Sequence, residues 1–114
     1  MDESYGVVVS FDLSMDMLDK YYPGGRANRA RAYGAIRSFL KSHGYEHLRD
    51  SDYKNNDDTM QGCYDKILVF NENNKWFSLC VNKLIIMPGS LYCDYTDLLK
   101  DNIDEEYKEH MERP

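Results

Sequence analysis

YGVVVSFDL, residues 5–13, is the stretch that decides the fold class. Its three consecutive valines are β-branched, stiff at χ1 and suited to a pleated surface. A nearly unbroken apolar run of this length reads as a strand buried on both faces. The one acid, Asp12, falls at the mouth of that strand. Beyond it, Ser14 can cap a short helix over residues 15–22, which Pro23-Gly24-Gly25 breaks. The strongest helical pattern follows over residues 27–43, with Ala32, Ala35, Ile36, Phe39 and Leu40 on one face and Gly44 as the stop.

Residues 45–48 and 51–54 read as two short strands separated by Arg49-Asp50. The polar segment 55–58 then turns, and Asp57 or Asp58 can cap a second helix over residues 59–71. That helix carries Met60, Cys63, Tyr64, Ile67 and Leu68 on its apolar side. After a polar turn, residues 76–87 read as a further strand, ending in Leu84-Ile85-Ile86-Met87 and stopped by Pro88-Gly89. The remainder suggests an edge strand over residues 91–95 and then an acidic helix.

The order β-α-β-β-α-β predicts an α+β, ferredoxin-like domain, with two helices on one face of a four-stranded sheet. Residues 1–90 would form that domain, and residues 91–114 an acidic C-terminal extension outside the core. A chain of 114 residues has room for one core. Its sheet would keep one open face, which a homodimer covers naturally. The ten tyrosines suit either a dimer face or a base-stacking surface.

The net charge is −6, which excludes attraction of nucleic acid by the protein's overall field. The distribution is uneven. Residues 26–37 hold four arginines and no acid, whereas residues 94–112 hold eight acids against two lysines. Any nucleic-acid contact must therefore be local. Cys63, Cys80 and Cys93 form no CxxC pair and are odd in number, so they read as reduced thiols. His43, His47 and His110 do not group with them at zinc-ligand spacing. The N-terminus lacks the pattern of a signal peptide, and no apolar run approaches a membrane span. A soluble, cytoplasmic protein is expected.

Asp12 is the leading chemical candidate. A carboxylate at the end of a central strand can bind Mg²⁺, or accept a proton from water or a ribose 2′-OH. The plainer alternative is a cap on the following turn through the backbone amides of Ser14 and Met15. Arg26, Arg29, Arg31 and Arg37 form the basic patch that could grip phosphate. Their alternative role is a solvated helix face that balances the acidic segment.

A set of strings in fixed order adds to this reading. Phe11-Asp12-Leu13 is followed by Tyr21-Tyr22-Pro23, and then by AYxxIRxFLxxxGY from Ala32 to Tyr45. Ser51-Asp52-Tyr53 and Trp76-Phe77 with Cys80-Val81 complete the set. Together the strings resemble the virulence-associated protein D family, which is similar in fold to the small nuclease-like subunit of the CRISPR adaptation complex. The resemblance implies a homodimeric, toxin-type endoribonuclease that cleaves RNA, with the two first-strand Asp12 residues near the two-fold axis. It implies a part for Arg37 and catalytic roles for Ser51 and Tyr53, and it brings in an antitoxin-like protein partner. Two departures stand out: Arg49-Asp50 where relatives read Gln-Gly, and Asn82-Lys83 where they read Arg-Asp. These favour a second reading, a catalytically degenerate module that binds nucleic acid or protein. A third reading, an acidic inhibitor of a nucleic-acid-binding protein, follows from the charge of residues 94–112.

Overall fold

The structure is a computed structural model that describes residues 6–23 and 29–113. Four strands, β1 (Val7–Leu13), β2 (Glu46–Arg49), β3 (Asp52–Asn55) and β4 (Val81–Pro88), form one sheet in the order β2-β3-β1-β4. Every neighbouring pair is antiparallel. Among the described residues six helices accompany them: α1 (Met15–Tyr21), α2 (Arg29–Ser42), α3 (Met60–Asn73), α4 (Trp76–Cys80), α5 (Thr96–Lys100) and α6 (Glu105–Glu112). The protein is thus α+β.

The valine run is central for a physical reason. Val7, Val9, Phe11 and Leu13 point into the main core, and Val8 on the other face is buried too. Burial on both faces suits the strand paired on both sides. Ser14 caps α1, its Oγ accepting from the Met17 amide at 3.3 Å. In α2, Ala32, Ile36 and Leu40 are buried at successive i, i+4 positions, with Ala35 and Phe39 half-buried beside them. Gly44 ends that helix at φ +87°, a left-handed conformation that suits glycine.

Several expectations need correction. Residues 76–80 are helical rather than extended, because Trp76, Phe77 and Cys80 bury together at helical spacing. Trp76 and Phe77 both meet Phe70 edge-on, with centroids 6.0 and 5.4 Å from it. The strand begins only at Val81. Helix α3 is capped by Thr59, whose Oγ1 accepts from the Gly62 amide, and not by Asp57 or Asp58. Its buried stripe is Cys63, Ile67 and Phe70, while Met60, Tyr64 and Leu68 are exposed.

Residues 91–95 form no strand. A 3-10 turn, Gly89–Leu91, sends the chain across β3 and β2, where side chains rather than backbone pairing hold it. Tyr92 Oη donates to Asp52 at 3.0 Å, and Arg49 Nε meets Asp94 at 2.9 Å. The acidic helix is two helices, α5 and α6, separated where Asn102 and Ile103 turn back onto Leu99 and Lys100. No residue of either is buried. The radius of gyration is 17.8 Å, against about 13 Å for a compact chain of this length. No helix among the described residues is long and apolar enough to cross a membrane.

Candidate functional site

The end of β1 is where strand pairing gives way. Strand β3 reaches only to Asp52, opposite Ser10, so the β2–β3 turn faces Phe11 and Asp12. Asp50 takes φ +48° in that turn, and Ser51 accepts a hydrogen bond from the Phe11 amide at 3.3 Å. On the other side, the β1–β4 ladder slips between Asp12 and Leu13, a bulge that frees the Leu13 amide. Tyr33 of α2 takes it up, its Oη accepting from Leu13 N–H at 3.1 Å.

Two adjoining cavities open around this irregularity. The first, about 360 Å³, lies on the helix side between Arg29, Tyr33, Arg37, Ser51 and Tyr53. The second, about 370 Å³, is lined by Ser10, Asp12, Asp52 and Lys83. Arg29, Tyr33, Asp50 and Ser51 are walls of both. Residues from β1, α2, the β2–β3 turn, β3 and β4 thus meet at one end of the sheet.

Asp12 is exposed and sits across the ladder from Lys83. The Ser14 amide donates to the Cys80 carbonyl at 2.8 Å rather than to Asp12, and Ser14 itself caps α1. Arg37 and Tyr53 are bound to each other, Arg37 Nε donating to Tyr53 Oη at 3.2 Å. Tyr53 is otherwise a core residue, its ring stacked between Phe11 and His47 at 6.0 and 4.8 Å. It also lines the first cavity, with its hydroxyl committed to Arg37. His47 Nε2 lies 2.6 Å from the Asp50 carbonyl, which supports the turn. Arg29 spans both cavities with its guanidinium 5.5 Å above the Tyr33 ring. Arg31 lines neither, and Arg26 lies outside the described residues.

The electrostatics are mixed. Asp12, Asp50 and Asp52 supply negative charge, and Arg29, Arg37 and Lys83 supply positive charge. Among the described residues none of these six makes an ion pair within 4.0 Å. Nor do any three His, Cys, Asp or Glu side chains there form a group able to hold a metal. The three thiols are free, and burial pushes those of Cys63 and Cys80 up.

Sequence reasoning gave Tyr33 and Asp52 no site role, and it treated Asp50 and Lys83 only as departures from the family pattern. A signal existed for Tyr33, which follows Arg29 and precedes Arg37 by one helical turn each. Lys83 needs the cross-strand register, which no local pattern supplies. No protein-family model matches the chain, and no curated protein matches it.

Proposed function

We propose that the chain is a toxin-type endoribonuclease with a ferredoxin-like fold, acting on RNA as a homodimer with Asp12 as the proton acceptor. The observation that carries the reading is the meeting of Asp12, Ser51, Arg29 and Arg37 at one end of the sheet, from three separate parts of the chain. The sheet order β2-β3-β1-β4 supports the fold assignment. In this mechanism Asp12 accepts the proton of the attacking hydroxyl, from water or the ribose 2′-OH, as its oxygen bonds to phosphorus; the scissile P–O bond breaks and the departing ribose oxygen takes a proton from water. Arg29 and Arg37 grip the phosphate and stabilise the charge that builds on its oxygens. The Ser51 hydroxyl orients the group between them. The Asp12 carboxylate would be the group to hold Mg²⁺, which would supply Lewis acidity when bound.

The test is cleavage of single-stranded RNA by wild type and Asp12→Asn, with and without Mg²⁺, alongside light scattering. The expected result is a dimer mass and a loss of about 10²- to 10⁴-fold in rate for the variant, with unchanged melting. A wild type that cuts nothing would overturn the reading. One feature favours a second, non-catalytic reading as a nucleic-acid-binding module: Lys83 stands across the β1–β4 ladder from Asp12 and adds a cation to the cavity wall. That module binds RNA with the same residues and leaves it intact.

A further inference from the structure

Arg29, Tyr33, Arg37 and Lys41 occupy positions i, i+4, i+8 and i+12 of α2, so they form a single ridge along the helix. At a rise of 1.5 Å per residue, Arg37 lies about 12 Å and Lys41 about 18 Å along the axis from Arg29. Three cations are thus set out in a row, with an aromatic ring between the first two. We propose that this ridge is a track for single-stranded nucleic acid, which leads the strand into the Asp12 cavity. The inference rests on reading that cavity as a nucleic-acid site, and it names the form of substrate and the direction of approach.

The first support is the state of the cations. Among the described residues Arg29, Arg37 and Lys41 make no ion pair, although the chain carries 20 acids and Arg49 and Lys66 both find partners. They are exposed and available to phosphate.

The second support is Tyr33. Its ring is half-buried and stacked on Phe11 at 5.7 Å, with an interplanar angle of 23°, and its hydroxyl is held by the Leu13 amide. A fixed ring costs little further ordering when a base stacks on it. Arg29 lies over the ring at 5.5 Å, where a planar base would sit. A phosphate can draw that guanidinium aside and leave the ring to the base. Such stacking requires an unpaired base, which selects a single strand over a duplex.

The third support is the placement of negative charge. Asp12, Asp50 and Asp52 gather at the Arg29 end of the ridge, and α2 itself carries no acid. Phosphates are therefore repelled from the sheet end except where Arg29 and Arg37 compensate, while the Lys41 end attracts them without opposition from its own helix. Arg31 falls about 200° around the helix from Arg29, so the arginine-rich stretch divides into a ridge and a bystander.

The test uses full-length Asp12→Asn protein, which keeps the ridge and removes the proton acceptor. Labelled single-stranded RNAs of two and eight nucleotides, an eight-base-pair duplex and a polyglutamate peptide are titrated by fluorescence anisotropy. The expected result is that Lys41→Ala weakens binding of the eight-mer several-fold and leaves the dinucleotide unchanged. It should also flatten the slope of log affinity against log salt by about 0.7, the contribution of one single-strand phosphate. Arg31→Ala should change neither, and duplex and peptide should bind more weakly than the single strand. Equal losses for Lys41→Ala and Arg31→Ala would overturn the track, as would no loss for either. Tighter binding of duplex or of polyglutamate would overturn it too. If wild type binds with this signature yet cuts nothing, the track stands and the nuclease reading falls.

Discussion

Asp58→Asn tests the charge cluster that the fold draws furthest from water. The Asp58 side chain is 10% exposed and accepts from Tyr45 Oη at 2.6 Å, Lys66 Nζ at 2.9 Å and the Thr59 amide at 2.8 Å. These contacts join the entrance of β2 to the start of α3. Burial alone pushes Asp58 up, but its three donors outweigh that and hold the carboxyl below its usual range. Burial, and then the bond to Asp58, hold the Tyr45 phenol far above its own. Asparagine keeps an acceptor for the Thr59 amide but loses the charge that faces Tyr45 and Lys66. A hydrogen bond to a charged group contributes about 1.5–3 kcal/mol. Lys66 is 32% exposed, so its share is discounted towards the surface-pair value of about 0.5 kcal/mol. The expected loss is about 2–3 kcal/mol, or about 10–20 °C in Tm for a domain of this size. The pH dependence has a definite sign. Asp58, depressed in the fold, contributes stability above the carboxylate range that is lost as pH falls through its folded value. Tyr45, raised in the fold, contributes stability that is full below about pH 10 and lost as pH rises beyond. Thermal melts of both proteins across the acid and alkaline limbs should show the acid limb flattened in the variant and the alkaline limb shallower. An unchanged Tm, or an acid limb identical to wild type, would refute the reasoning.

Three further predictions concern other contacts. Tyr33→Phe removes the acceptor of the Leu13 amide and should cost about 1 kcal/mol, with hydrogen exchange at Leu13 speeding up while Val9 stays protected. Truncation after residue 95 removes α5 and α6, no residue of which is buried, together with the exposed Arg49–Thr96 hydrogen bond, and should leave the melt almost unchanged. Truncation after Met87 also removes the Gly89–Gly6, Tyr92–Asp52 and Asp94–Arg49 contacts and should lower stability by about 2–3 kcal/mol.

The legible parts of the fold are those where one periodicity has no rival. The valines of β1 fit only a strand, and Ala32, Ile36 and Leu40 fit only a helix. Trp76-Phe77-Ser78-Leu79-Cys80 was illegible because five residues are too few to separate the two periods, and its aromatics favour strands by propensity. Packing around Phe70 decided for a helix. The segment after Pro88 misled for another reason. Its apolar residues suggested backbone pairing, whereas Tyr92 and Asp94 reach the sheet through polar side chains.

The candidate site divides along the same line between local pattern and register. Asp12, Ser51 and Arg37 could be singled out because each stands in a recognisable string. Their meeting at one sheet end depends on where β3 stops and where the β1–β4 ladder slips, and neither is written in a window of residues. The slip falls at Asn82-Lys83, so the departure that weakens the family resemblance is also the one that alters the geometry beside Asp12. Lys83 stands where the resemblance leads one to expect an acid, across the ladder from the Asp12 carboxylate. That exchange disfavours a site built only from facing acids and suits one in which phosphate charge is met by Arg29, Arg37 and Lys83. If the protein cuts RNA, its dependence on Mg²⁺ should therefore be weaker in wild type than in Lys83→Asp. A rate equally dependent on Mg²⁺ in both proteins would show that Lys83 takes no part in the charge balance.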